Sequence, residues 1–433
     1  MPIARSVRRA GLRLGVVALA GVLLAACGAG PLGGSDGTGG KVTLTVDVFG
    51  SFGFKEAGLY DEYEKAHPGI TIKQTDTEDE QDYWKSLQTR LAGGGGLADV
   101  QGIEVGRIAS VTQQQPDRFE DLSRYGADRL KKDYAGAKWA AAATKDGKVL
   151  GLGTDIGPEA MCYRTDLFKK AGLPTDRDTL AAKWSTWDGY LDLGKRYIRQ
   201  APAKSAWLDS VGSLFSVMIG QEKERYYNAS GKLIYDSNPA VRTAWDTSVE
   251  AARAGLSARL DQWSPQWNQA FSTGAFATVP CPAWMLSYIK GQAGDAGRGT
   301  WDVAELPGGA GNWGGSYLSI PRAAEHKKEA YALIRWLTAP AQQEKLFRKL
   351  GNFPSSTGAI ARLADAKDPY FSNAPVGRIF GTAAEAAPVQ VLGVQDKDIG
   401  DQLINALGEV ERKGTSSDAA WSNARQGVAH TLD

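Results

Sequence analysis

The chain has 433 residues, with 50 Lys and Arg against 49 Asp and Glu and a formal net charge of +1. A balance this close to neutral, without a basic block, argues against nucleic acid as a partner and points to an uncharged ligand. Only His67, His326 and His430 are present, none spaced with Cys or another His as a ligand set, so neither a metal nor any other cofactor is expected.

The first 27 residues read as an export address, a signal peptide. Arg5, Arg8, Arg9 and Arg13 form a positive leader, and residues 14–26 are an apolar run too short to span a bilayer in a mature protein. The run ends in Leu24-Ala25-Ala26-Cys27. Residues 28–40 are rich in Gly and cannot pack a core, which predicts a flexible tether. Roughly 390 residues follow, enough for two lobes.

Residues 41–49 alternate apolar and polar side chains, the pattern of a half-buried strand, and the Gly-rich stretch 50–53 breaks it. Leu59, Tyr60 and Tyr63 then predict a helix, stopped by His67-Pro68-Gly69 ahead of a strand at 70–74. Trp84, Leu87 and Leu91 mark a second helix with an apolar stripe, ended by Gly93–Gly96, and residues 98–103 read as another short strand. This alternation predicts parallel α/β layers with helices on both faces. Further on, an apolar strand is expected at 276–279, broken by Pro280-Cys281-Pro282, and a helical stretch at 403–410 follows the charged trio Asp396, Lys397 and Asp398. Setting Cys27 aside leaves Cys162 and Cys281, an even number in an exported chain, which admits a disulfide or two buried thiols.

In order along the chain stand EYEKAHPGITIK, LAGGGGLADV, TDIGPEAMCYRTDLFKKAGLP, STGAFATVPCPAWMLSYIKG and SYLSIPRAAEHKKEAYALIRWLTAPAQQEKL. Together with the N-terminal run they resemble the carbohydrate-binding extracellular solute-binding proteins of bacterial ABC importers, the group of the maltodextrin-binding proteins, with cello-oligosaccharide binders as the suggested clade. The resemblance implies that Cys27 closes a lipobox and carries the lipid anchor. It also implies a two-lobed α/β periplasmic-binding-protein fold of type II, with a cleft between lobes and three hinge crossings. These fall near 153–157, 311–315 and 353–358, each a Gly-, Pro- or Ser-rich break able to absorb a rotation. Lobe one is then 41–153 with 315–354, and lobe two is 157–311 with 358–433. The expected partners are an oligosaccharide, the permease subunits and, through acylated Cys27, the extracytoplasmic face of the cell membrane. The protein is expected to be a monomer and not an enzyme.

A sugar offers hydroxyls at the ring edge and C–H faces, so its site needs flat aromatic rings beside carboxylates, amides and cations. Thirteen Trp residues make the chain rich in such rings. By resemblance Trp284 faces the cleft, and a core position beside Cys281 is its rival. Trp313 lies in Gly311-Asn312-Trp313-Gly314-Gly315 at a proposed crossing; Trp263 and Trp267 flank Pro265, where one contacts ligand or both merely start a helix. Phe52 and Phe54 sit in the Gly-rich loop after the first strand, where exposed Phe needs a cover, and they are expected to contact the ligand. Glu104 and Arg107 reach the cleft from lobe one by resemblance, Asp99 caps local backbone, and Asp155 and Asn352 lie at the first and third crossings, placed to bond sugar hydroxyls, with hinge capping the other role for Asp155. A Trp-lined glycoside hydrolase is the alternative function, though no acid and nucleophile pair is recognisable. The same fold carrying a peptide or polyol is a further one.

Overall fold

The computed structural model describes residues 41–202 and 204–432. The predicted signal peptide, the tether and Cys27 lie outside the described residues.

β1 (Val42–Phe49) shows why the alternation forms a strand: Leu44, Val46 and Val48 are fully buried on one face, while the residues between them face outward. β2 (Ile70–Thr77) and β3 (Val100–Glu104) both pair with it in parallel. Between β2 and β3 runs the helix Glu80–Gly93, whose first turn is capped by the Asp79 carboxylate accepting from the Asp82 N–H and whose end is Gly94 at φ +70°. Along the chain follow β4 (Leu152–Gly153), β5 (Asp155–Ile156), β6 (Glu159–Arg164), β7 (Ala206–Leu208), β8 (Phe276–Pro282), β9 (Trp301–Ala304), β10 (Ser316–Ser319) and β11 (Phe353–Pro354).

The strands sort into a five-stranded sheet of order β2-β1-β3-β10-β4, a four-stranded sheet of order β7-β8-β6-β9, and the short pair β11-β5. Helices cover both faces of each larger sheet, so each lobe has two apolar layers. In the first lobe Val46 and Leu318 belong to one layer and Ile103 and Tyr317 to the other; in the second, Met161 and Tyr163 oppose Ala160 and Cys162. The main chain leaves the first sheet at β4 and enters the second at β6, returns between β9 and β10, and leaves again after β11. The β5 and β11 pair lies on two of these three crossings.

Two expectations change. The sheets are mixed and not wholly parallel: β10 runs antiparallel to β3 and β4, and β6 runs antiparallel to β8 and β9, because each of these two strands, the first after a crossing, enters its sheet from the opposite end. Residues 280–282 do not break the strand. β8 continues to Pro282, and its pairing with β7 covers only Phe276 and Thr278, so both prolines lie where that edge has no ladder bond to give.

Cys162 on β6 and Cys281 on β8 are joined by a disulfide, their Cα atoms 5.6 Å apart. Cys162 stands opposite Val279 and Ala160 opposite Cys281, so the bridge runs diagonally on one face of the sheet, inside the apolar layer. The helix expected at 403–410 spans Asp396–Lys413, buries Leu403 and Leu407 in the second lobe, and begins at the charged trio.

Candidate functional site

The two lobes meet where β3 ends. A side chain at Gly106 would meet Lys397 Cβ at 3.1 Å and Glu104 Oε2 at 2.9 Å, so glycine lets this turn lie directly against the first turn of the helix Asp396–Lys413. Glu104 Oε2 accepts from the Gly106 N–H at 2.5 Å. Arg107, 1% exposed, donates to Asp398 Oδ1 across the lobes at 2.5 Å and to Glu80 Oε1 at 3.2 Å. Its guanidinium carbon lies 5.3 Å from the Trp84 ring centroid. Trp84, expected in the apolar stripe, is half-buried instead, and Tyr83 fills the core with Leu87 and Leu91.

Several charged groups nearby make fewer bonds than their chemistry allows. Lys138, on the helix Gly136–Ala141, is buried with its ammonium 3.8 Å from the Tyr317 ring centroid, and its Nζ finds no hydrogen-bond partner among the described residues. Burial pulls it down to about 8 against the opposing pull of Asp155 and Glu104. Asp155 Oδ1 accepts from the Thr154 hydroxyl at 2.7 Å and the Ser316 N–H at 2.9 Å, and burial pushes the carboxyl up. Glu159 opens β6 at 1% exposure, and neither of its carboxylate oxygens has a partner among the described residues. Gly220 and Gly311 leave it room, since a Cβ at either would strike Glu159 Oε2. Burial raises Glu159 well above the usual carboxylate range, with Arg225 opposing. Arg225 pairs with Asp396, whose Oδ1 likewise has no partner among the described residues, and burial raises Asp396 too. Glu104 is pushed up to about 7, first by burial and then by Glu80. A buried polar atom without a partner costs free energy, so groups of this kind in one region are poised to bond hydroxyls brought to them.

Beside this polar floor stands a group of indoles. Trp284 leads into the helix Met285–Ala293, half-buried, and its Nε1 donates to the Trp313 carbonyl at 3.1 Å. The two rings meet edge to face at 5.6 Å and 75°. Trp313 is fixed to the first crossing by its N–H bonding the Gly157 carbonyl at 2.8 Å, and Gly157 is required because a Cβ would strike the Trp313 carbonyl. On its other side Trp284 lies 6.0 Å from Trp263 at 28°.

Not every residue singled out from the sequence joins this group. Trp267 is wholly buried and donates its Nε1 to Asp209 Oδ2 at 2.8 Å, so it is core, whereas Trp263 is 45% exposed. Phe52 and Phe54, expected on an exposed loop, are drawn into the first lobe by a run of ring contacts from Phe49 to Tyr60, leaving them 6% and 0% exposed. Asn352 Nδ2 donates to the Phe52 carbonyl at 3.3 Å and so ties that loop to the third crossing. Arg107 bonds two carboxylates while its Nη2 has no partner among the described residues, and Asp155 accepts the bonds of a hinge cap. Asp99 goes beyond local capping, accepting from Thr45 on β1 and from the His326 N–H.

Sequence reasoning missed Lys138, Glu159 and Arg225. Lys138 is the one charge within Ala135–Ala143, a usable signal, and Glu159 lies inside a stretch that carried the resemblance. Arg225, in Glu222-Lys223-Glu224-Arg225, looks like an ordinary solvated charge run.

The sequence profile of the bacterial extracellular solute-binding proteins matches residues 58–374. The chain is 26% identical over 382 residues to the lactose-binding protein of Rhizobium radiobacter, covering 84% of this chain and 86% of that one. It is 23% identical over 424 residues to the arabinooligosaccharide-binding protein of Bacillus subtilis, covering 88% and 94%. Among solved structures, an extracellular solute-binding protein of family 1 is 42% identical, with a TM-score of 0.79 over 90% of this chain and 100% of that one. The galacto-N-biose- and lacto-N-biose I-binding protein of Bifidobacterium longum shares the fold at 20% identity, with a TM-score of 0.75 over 92% and 98%. The chain belongs to the bacterial extracellular solute-binding proteins.

Proposed function

We propose that this chain is the capture component of a carbohydrate ABC importer, closing its two lobes on an extracellular oligosaccharide and delivering it to the permease. The observation that carries the proposal is the juxtaposition at the crossings of half-buried indoles, Trp284 and Trp313, with buried polar atoms on Lys138, Glu159 and Asp396 that have no partner among the described residues. Indole faces suit the C–H faces of pyranose rings, and the polar atoms suit their hydroxyls. The printed names of the relatives, lactose-binding and arabinooligosaccharide-binding, support the same ligand class. In this reading lobe one comprises 41–153 with 315–354, lobe two comprises 157–311 with 358–433, and the binding residues are Trp284 and Trp313 with Lys138, Glu159 and Asp396. Closure needs no chemistry, only a ligand that binds the closed form better than the open one.

The proposal places a monomer outside the cell, held to the membrane by a lipid on Cys27. Mass spectrometry of the N-terminal peptide from membrane-extracted protein tests this: an unmodified Cys27 rules the anchor out. Calorimetry or intrinsic Trp fluorescence with cello-, malto-, xylo- and chito-oligosaccharides tests the ligand class. Saturable binding of at least one series is expected, and silence toward all of them overturns the carbohydrate assignment.

A further inference from the structure

The exposed indole of Trp263 has no role in the core. It occupies the third position of the turn Asp261–Ser264, closed by the Ser264 N–H bonding the Asp261 carbonyl at 3.2 Å, with φ at +69°. A turn with positive φ at that position takes Gly or Asn by preference, because a Cβ crowds the backbone there. The neighbouring Arg259 also has positive φ, at +59°. The chain thus carries a bulky ring on strained backbone and leaves 45% of it exposed, an arrangement that burial does not explain.

The surroundings hold this ring at the open side of the indole group. Its edge meets Trp267 at 5.0 Å and 61° and Tyr288 at 5.3 Å and 86°. Both supports are anchored, Trp267 by Asp209 and Tyr288 by a hydrogen bond to Asn268. Burial pushes the Tyr288 hydroxyl up to about 12, with the Glu78 carboxylate of the first lobe adding to it. Trp263 and Trp284 form near-parallel steps 6.0 Å apart, Trp284 half-buried beside the crossings and Trp263 the more exposed.

We propose that Trp263 is an outer stacking platform for a sugar unit that projects past the unit lying on Trp284, so that the chain discriminates oligosaccharides by length. The proposal rests on the carbohydrate reading above. A disaccharide seated on Trp284 and Trp313 does not reach the outer step, whereas a longer chain gains one more ring face against indole.

The test is calorimetry on the wild-type chain and the Trp263→Ala, Trp263→Gly and Trp263→Phe variants, each titrated with cello- and malto-oligosaccharides of two to six units. In the bound series, Trp263→Ala and Trp263→Gly are expected to weaken the longest members about tenfold while leaving the disaccharide unchanged, and Trp263→Phe to restore part of the loss. Trp263→Gly, which relieves the backbone, is expected to melt no lower than Trp263→Ala, separating ring loss from unfolding. Equal affinities of wild type and Trp263→Ala at every length, or an equal loss at every length, overturn the outer platform while leaving the carbohydrate reading intact. A wild-type chain that binds neither series overturns the platform, and silence in the wider panel overturns the reading beneath it.

Discussion

The crevice concentrates carboxyl groups whose environment favours the proton. Glu104 rises from the ordinary 4.5 to about 7, chiefly through burial, and burial also raises Asp155, Glu159 and Asp396. An acid whose folded value is raised stabilises the fold fully below its unfolded value, and that contribution is lost as pH rises toward the folded value. For Glu104 the window runs from 4.5 to about 7. Lys138 acts in a different range: depressed to about 8, it weighs against the fold below that value and is relieved only as pH climbs toward 10.5. The sugar-free protein is therefore predicted to melt at a lower temperature at about pH 7.5 than at about pH 5, and Glu104→Gln is predicted to flatten that slope. Calorimetric scans across the window check both; a wild-type melting temperature that climbs, or a variant with an unaltered slope, contradicts the assignment.

Elements were more legible than side-chain environments. The alternation in residues 41–49, the helix of Leu87 and Leu91, and the glycines at the crossings follow from local periodicity and backbone freedom, which a sequence displays directly. Long-range pairing does not show itself that way. Phe52 and Phe54 have a loop's neighbours, yet rings distant in sequence draw them into a core. Trp267 and Trp263 share one short segment, and only a buried Asp209 fixes the first inside while turn geometry leaves the second outside. The antiparallel return of β10 depends on chain topology, which no window of residues contains. The cysteine pair was open between two states until strand register set the residues diagonally opposite. The bridge closes a span of 119 residues and so constrains the unfolded chain strongly. Replacing both by Ala is predicted to cost about 2–5 kcal/mol of stability. Denaturant unfolding of the double variant measures it, and a loss below about 1 kcal/mol would show that the bridge adds little to the sheet.

Across the whole molecule, the described contact between lobes is ionic as well as apolar. Arg107 of the first lobe holds Asp398 of the second, and the adjacent Lys397 lies against Gly106 while it pulls on Glu104. Removing Asp398 leaves Arg107 paired, among the described residues, with Glu80 alone. A tie worth about 1 kcal/mol changes an open-to-closed ratio about fivefold. Asp398→Ala is accordingly predicted to enlarge the radius of gyration of the sugar-free protein in small-angle scattering and to weaken ligand binding by a similar factor. A radius and affinity matching the wild type would mean that this ion pair does not bias closure. The family membership and the crevice chemistry converge on capture by enclosure, in which the hinge glycines permit the motion and the ligand selects the closed state.

Enclosure of a sugar against indole stands or falls most directly on Trp284, which joins the polar floor to the aromatic steps. The decisive measurement is the calorimetric affinity of Trp284→Ala for the oligosaccharide bound best by the wild type, with melting temperatures compared alongside. Loss of a stacked pyranose face is predicted to weaken binding roughly ten- to a hundredfold, with little change in melting temperature. A Trp284→Ala protein that binds the same sugar as tightly as the wild type contradicts the account.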